Sequence, residues 1–174
     1  RGGADLIVHC YRSVEKARSL VAEIGELGQS AELCVADLAN SAELPTFVEA
    51  AWNCFGDVDI WVNNAGGSPL STPLTELPRE EWDATLALHL TAIWICSTIA
   101  ARYLQPGGRI LNISSKAAVQ TVPGSGHYAA AKAGVNSLTA TLAAELGPRI
   151  LVNGIMPGAV PTEIMMKALR LSED

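Results

Sequence analysis

Residues 58–67, VDIWVNNAGG, join a short apolar run to a string of small and amide residues. Such a run fits a strand buried on both faces, and glycine lets a ligand approach the backbone closely. The stretch therefore predicts a strand over 58–62 whose carboxyl end opens into a loop suited to binding.

Short apolar runs alternate with longer helical patterns on both sides of this stretch. The predicted strands are 6–10, 31–36, 58–62, 109–113 and 150–155. The predicted helices run from a Ser13 cap to about Gly28, from an Asn40 or Ser41 cap to about Phe55, over 80–104, over 128–146, and over a short closing segment. This alternation predicts one α/β domain over residues 1–174, with helices on both faces of a parallel sheet. Ligands of such sheets bind at the carboxyl ends of the strands.

Composition narrows the class of protein. The chain is 49% hydrophobic and 17% charged, with a net charge of -6, and its 12 Lys and Arg form no basic patch. A nucleic-acid partner is therefore not expected. The longest apolar run, 86–101, is shorter than the roughly 20 residues of a membrane span, so we interpret it as a buried helix. The four cysteines lack metal-ligand spacing, which predicts no metal site and a cytoplasmic protein.

Tyr128 and Lys132 are four residues apart on a predicted helix, so they share one face. A phenol titrates near pH ~10, and a neighbouring ammonium is expected to lower its pKa. The pair therefore suits general acid/base chemistry, although an ordinary amphipathic surface pair has the same spacing. Ser115 ends a predicted strand and could hold a substrate oxygen against the phenol; by spacing alone Ser114 could serve equally.

In order along the chain, these pieces resemble the classical short-chain dehydrogenase/reductase family. The motifs that carry the resemblance are Asp37-Leu38, Asn63-Asn64-Ala65-Gly66, Asn112-Ile113-Ser114-Ser115, Tyr128-Ala129-Ala130-Ala131-Lys132 and Val152-Asn153-Gly154-Ile155-Met156-Pro157-Gly158, with Thr162. The resemblance implies a Rossmann-like doubly wound sheet. It also implies an NAD(P)-dependent oxidoreductase that interconverts a ketone and a secondary alcohol.

The resemblance further implies a role for each matching residue. Tyr128 would donate or accept the proton, Lys132 would lower its pKa and hold the nicotinamide ribose, and Ser115 would orient the substrate. The other implied cofactor contacts are Asp37 and Leu38 at the adenine, Asn64, Ala65 and Gly66 at the adenosine ribose, and Pro157, Gly158, Val160 and Thr162 at the nicotinamide. Asn63 is expected to stabilise the sheet instead.

Cofactor choice depends on the end of the first strand. An acidic residue there would bind the ribose 2′-hydroxyl of NAD, but the strand ends at Arg12-Ser13. A guanidinium matches a phosphate well, so Arg12 favours NADP over NAD.

Two features depart from the family pattern. His89 stands where the family usually has an Asn that helps to hold a proton-relay water. Its imidazole could hold that water and titrate near neutrality, or it could be a packed core histidine. The Gly-rich phosphate-binding turn is absent, as are the closing strand and helix. We therefore expect a fragment that lacks the family's first and last strands, has two unpaired sheet edges, and binds cofactor weakly by itself.

Two alternatives to an oxidoreductase remain open at this point. A catalytically silent binding or regulatory member is one, and a lyase or epimerase with the same Tyr and Lys is the other. The substrate class is not readable beyond a small carbonyl or alcohol. The apolar helices 80–104 and 128–146 predict self-association, which in this family typically gives a tetramer.

Overall fold

The computed structural model describes residues 2–67, 71–120, 122–158 and 160. Its elements, in chain order, are β1 (Leu6–Cys10), α1 (Val14–Glu26), β2 (Ala31–Val35), α2 (Leu44–Phe55), β3 (Ile60–Asn63), α3 (Arg79–Leu86), a π-helical turn (Ala87–Thr91), α4 (Ala92–Tyr103), β4 (Arg109–Ile113), a short 3-10 turn (Lys116–Ala118), α5 (Gly126–Leu146) and β5 (Leu151–Ile155). The strand-helix alternation expected from the sequence is confirmed.

The strands are parallel and form two sheets within the described ranges. One sheet has the order β1-β2, and the other has the order β3-β4-β5. These orders match positions 2-3 and 4-5-6 of the doubly wound order 3-2-1-4-5-6. The Rossmann-like fold is therefore confirmed. Among the described residues, β1 pairs only with β2, and β3 pairs only with β4.

The element bounds agree with expectation to within about two residues, with one wrong cap. The helix expected to start at Asn40 or Ser41 starts later, because Glu43 is the N-cap residue of α2. The Asn40 side chain instead accepts a hydrogen bond from the amide of Ala42 and donates one to Glu43. The loop thus uses these polar groups for a turn of its own. The expected closing helix lies outside the described residues.

Helix α2 joins the two sheets. Its Phe47 ring contacts His9 of β1 at 5.0 Å and Trp61 of β3 at 5.9 Å, measured between ring centroids. Trp52, one turn further along, stacks on Trp61 at 5.6 Å. Aromatic pairs at these separations add to the free energy gained by burial alone. The main hydrophobic core therefore contains residues of both sheets, together with residues of α2 and α4 that pack against them.

The segment predicted as one helix over 80–104 is continuous from Arg79 to Tyr103, with the π-helical turn in its middle. At 25 residues it is long and apolar enough to cross a membrane by length and composition. The prediction that the segment is too short for a membrane span is therefore wrong. Core helices pass the same test. Ala92, Cys96 and Ala100 on this helix belong to the main core.

A buried polar network ties β3 and β4 to the helices above them. Asn63 Nδ2 donates to Asn112 Oδ1 at 2.8 Å and to Ser97 Oγ at 2.9 Å, while Asn63 Oδ1 accepts from the Trp61 indole. Asn112, fully buried, donates in turn to Thr139 Oγ1 of α5 at 2.9 Å. Asn63 therefore fastens strands to helices, in agreement with the role expected from the sequence.

Replacing Asn63 with alanine removes the partners of the Trp61 indole and the Asn112 carbonyl in a buried setting. We expect the free energy of unfolding to fall by about 1–3 kcal/mol in urea denaturation, because unpaired buried polar groups keep their desolvation cost. The control is Asn53→Ala on the exposed side of α2. Equal effects of the two substitutions would contradict the network's role.

Candidate active site

Tyr128 lies in the first turn of α5, and Ser115 lies just after β4. The Ser115 hydroxyl lies near enough to the Tyr128 phenol to lower its pKa. Ser115 is also the N-cap residue of the 3-10 turn, where its Oγ accepts from the Ala117 amide at 3.1 Å. The turn thereby holds the serine in one orientation towards the phenol.

The choice between the two serines, open in the sequence, follows from their contacts. Ser114 Oγ is buried and donates to the backbone carbonyl of Lys132 at 3.1 Å. Its hydroxyl fastens β4 to α5. Ser115 is half-buried and faces Tyr128, so it is the serine available for a substrate oxygen.

The Tyr128 phenol has its pKa raised by burial, and the nearby Ser115 acts in the opposite direction. The expectation that Lys132 lowers this pKa is not met in the structure. The Lys132 ammonium is 5.7 Å from the centroid of the Tyr128 ring and donates to the Ile113 carbonyl at 2.7 Å. The phenol is consequently neutral near pH 7, the state in which it can donate a proton.

Lys132 is itself buried beneath the site. Burial lowers the pKa of its ammonium to about 8, because a low-dielectric setting disfavours the charged form. The Ile113 carbonyl fixes the position of the ammonium next to the phenol.

His89 lies in the middle of the π-helical turn, with its ring edge-on to Tyr128 at a centroid distance of 5.0 Å. Burial lowers its pKa to about 4, helped by the nearby Lys132 and His127. The idea that this imidazole titrates near neutrality is therefore wrong; it is neutral there. It can still exchange hydrogen bonds with a water, because the protein provides no partner for its buried Nδ1 atom.

Gly66 is packed against this imidazole. A methyl group at Gly66 would come within 2.7 Å of His89 Cε1 and 2.9 Å of Nδ1, closer than real contacts allow. At neighbouring Gly67 a methyl group would meet nothing within 4 Å. The loop after β3 is thus fitted to the π-helical turn, a contact that no sequence pattern predicts.

His127 is a second feature that sequence reasoning missed. It directly precedes Tyr128, is fully buried, and its Nε2 atom lies 3.6 Å from Glu81 Oε1 of α3. The pair connects the start of α3 to the start of α5, next to the phenol. A lone histidine beside the motif was the only signal, and it does not reveal burial.

The other residues expected at the cofactor follow the ends of strands. Arg12, after β1, is exposed and stacks over the Tyr11 ring at 4.7 Å. Asp37 follows β2, and its Oδ1 accepts from the Ala39 amide at 2.9 Å, which shapes the turn that contains Leu38. Asn64 and Ala65 follow β3.

The end of β5 approaches the catalytic serine. The Pro157 carbonyl accepts from the Lys116 amide at 3.0 Å, and a methyl group at Gly158 would lie 3.1 Å from the Lys116 side chain. Val160 is exposed, and Thr162 lies outside the described residues. The predicted nicotinamide end is thus adjacent to Ser115.

Comparison with known proteins agrees with this geometry. Residues 1–172 match the short chain dehydrogenase family. The chain belongs to the short chain dehydrogenase family. It is 35% identical over 165 residues to a 3-oxoacyl-[acyl-carrier-protein] reductase of Synechocystis, covering 93% of this chain and 66% of that protein. The chain therefore spans slightly less than two thirds of the length of this family member.

Two solved structures have the same fold. One, from Burkholderia cenocepacia in complex with NADP, is 38% identical with a TM-score of 0.88, and the match covers 93% of this chain and 66% of that one. The other, a blue fluorescent protein from a metagenomic library in complex with NADPH, is 34% identical with a TM-score of 0.87, and the match covers 93% and 67%.

The contact between Gly66 and His89 generates a matched pair of variants. Gly66→Ala is expected to lower the free energy of unfolding by about 1–3 kcal/mol, because the added methyl group overpacks a buried ring. Gly67→Ala should have a much smaller effect. Removing the ring in Gly66→Ala/His89→Ala should remove the overpacking and leave only the strain of alanine at a φ of 157°, so the Gly66 substitution should cost less than it does beside His89, as measured by urea denaturation. A Gly66 effect that is equally large without the ring would refute the contact as its cause.

Proposed function

We propose that the protein is an NADP-dependent oxidoreductase that interconverts a ketone and a secondary alcohol, with Tyr128 as the acid/base. The observation that carries the proposal is the position of Lys132, which is buried, donates to the Ile113 carbonyl at 2.7 Å and has its ammonium 5.7 Å from the centroid of the Tyr128 ring, with Ser115 near enough to act on the pKa of the phenol. In an ordinary surface pair of Tyr and Lys the lysine would be exposed. Lys132 is instead buried and donates a hydrogen bond to the Ile113 carbonyl of β4.

The chemistry follows from the positions of these groups. When bound, NADPH supplies the hydride that attacks the carbonyl carbon. The Tyr128 hydroxyl gives its proton to the carbonyl oxygen, on which the negative charge develops. Ser115 donates a hydrogen bond to that oxygen and keeps it within reach of the phenol. Lys132, held by the Ile113 carbonyl, would bind the nicotinamide ribose beside the phenol.

The residues present fit a dinucleotide at the strand ends. Arg12, directly after β1, has an exposed guanidinium that can bind a 2′-phosphate. An acidic residue at this place would repel that phosphate. Leu38, Asn64, Ala65 and Gly66 follow the next strands and would border the adenosine. Pro157, Gly158, Val160 and Thr162 would contact the nicotinamide. The proteins crystallised with NADP and NADPH described above support this cofactor type.

Proton supply to the site is part of the proposal. His89 takes the position of the family's relay asparagine and is neutral at physiological pH. A neutral imidazole both donates and accepts a hydrogen bond, so His89 can hold a water without changing charge. We include it as a relay residue on that basis.

Self-association and a cytoplasmic location complete the proposal. Trp94 on α4 is exposed although it lies on a core helix. A large apolar side chain left uncovered in this way favours contact with a second copy. The four cysteines are free thiols, as in a reducing compartment.

Tyr128→Phe tests the catalytic proposal in the full-length protein. Without the hydroxyl there is no proton donor, so kcat/KM for ketone reduction should fall about 10²–10⁴-fold while the Kd for NADPH changes little. Tyr103→Phe is the control, because its hydroxyl is on the exposed end of α4. Undiminished turnover in Tyr128→Phe would exclude the mechanism, and binding without any turnover in the wild type would favour a catalytically silent protein.

Arg12→Gln tests the choice of cofactor. Loss of a charged hydrogen bond to the 2′-phosphate should raise the Kd for NADPH about 10-fold or more and leave that for NADH nearly unchanged. Arg18→Gln, on the exposed side of α1, controls for the change in net charge. The Kd values are measured by nicotinamide fluorescence. Equal changes in Kd for NADPH and NADH would show that Arg12 does not bind the 2′-phosphate.

A further inference from the structure

A cleft of about 590 Å³ is lined by Ala117, whose amide donates to Ser115 Oγ, and by residues next to Tyr128 in the chain. One wall begins at Ala117, two residues after Ser115, and another is formed by Gly126 and Ala129, on either side of Tyr128. The cleft is within the range of roughly 300–1,000 Å³ that holds drug-sized ligands. It is therefore the space in which a substrate body would lie when its carbonyl reaches the phenol.

The lining of the cleft is apolar. Its residues are Pro73, Leu74, Ala117, Ala118, Val119, Gln120, Val122, Pro123, Gly124, Gly126 and Ala129. Among these described lining residues there is no charged side chain, and Gln120 has the only side chain that can form a hydrogen bond. A carboxylate or phosphate would find no cation there, and several hydroxyl groups would lose their water without replacement.

Three large side chains of the lining are unusually exposed. Leu74, Val119 and Val122 have exposed fractions of 60%, 68% and 44%. Apolar groups of this size that share one cleft beside reacting polar groups are typical of a binding surface for an apolar ligand. The free energy gained on covering them increases with the apolar area of the substrate.

A cation does lie nearby in the sequence, but it is directed elsewhere. Lys116 is adjacent to Ser115, and its side chain extends towards Gly158. A methyl group added at Gly158 would lie 3.1 Å from Lys116 Cδ and 4.0 Å from Lys116 Nζ. It does not belong to the cleft lining. The ammonium is thus at the end of β5, on the side assigned to the cofactor.

We propose that the substrate is an uncharged ketone, or its alcohol, whose body is an extended apolar chain or ring and lies in the cleft formed by residues 73–74, 117–120, 122–124, 126 and 129. This inference rests on the proposed function. It excludes keto acids, phosphorylated ketones and polyols as preferred substrates.

The test is a substrate series in the full-length protein saturated with NADPH. For methyl ketones from butanone to nonanone, kcat/KM should rise by about fourfold per added methylene until the cleft is filled. The kcat/KM for levulinate should be lower than that for methyl isoamyl ketone, its uncharged isostere, by a factor of about 10 or more. Dihydroxyacetone should be worse than butanone. A preference for levulinate or dihydroxyacetone would overturn the proposal.

A charge placed in the cleft should redirect this preference. Val119→Lys is expected to raise the kcat/KM ratio of levulinate to methyl isoamyl ketone by about 10-fold, because the carboxylate gains a charged partner. Leu20→Lys, at another exposed apolar position on α1, should leave the ratio unchanged. The same shift in both variants would refute a specific role for the cleft.

A binding measurement separates failure of the substrate class from failure of the proposed function. Methyl resonances of Val119 and Val122 should shift on addition of methyl isoamyl ketone and not on addition of levulinate. Such shifts without Tyr128-dependent turnover would retain the apolar site and reject the chemistry. Turnover of ketones with no difference between the two ligands would retain the chemistry and reject the substrate class.

Discussion

The hydrogen bonds of Asn63 and Asn112 hold the parts of the molecule on which the site depends. Both amides lie between strands and helices, where backbone groups are already paired within their own elements. Side-chain amides can therefore fix the distance between layers in a way that apolar packing cannot, because hydrogen bonds require a specific geometry. Through Thr139 the network reaches α5, the helix that contains Tyr128 and Lys132.

Burial sets the protonation of the groups proposed to be catalytic. Burial raises the pKa of Tyr128, lowers the pKa of Lys132 to about 8 and lowers the pKa of His89 to about 4. The common cause is that the protein replaces the water around these groups, which disfavours their charged forms. The π-helical turn brings His89 into this environment, and Gly66 leaves room for its ring. The site is thus assembled from one loop after β3, one turn within a long helix and one end of α5.

Helix α2 contacts both sheets, because its Phe47 ring packs on His9 of β1 and on Trp61 of β3. Phe47, Trp52 and Trp61 bridge the two sheets through α2, since large rings bury much area with few rotatable bonds. Both groups of strands are thereby kept in one core. The proposed cofactor contacts divide in the same way, because Arg12 and Asp37 follow the strands of one sheet and Asn64 and Pro157 follow those of the other.

The sequence by itself determined the strand-helix order, the parallel fold and the set of candidate residues, since periodicity and strand-end positions are local properties that chain order preserves. It also pointed to Ser115, Tyr128 and Lys132 through their motif. Only the tertiary structure decided which serine faces the phenol, that Lys132 bonds to the Ile113 carbonyl, and that His89 is neutral. Those properties depend on contacts between residues far apart in sequence and on exclusion of water, neither of which can be read from spacing.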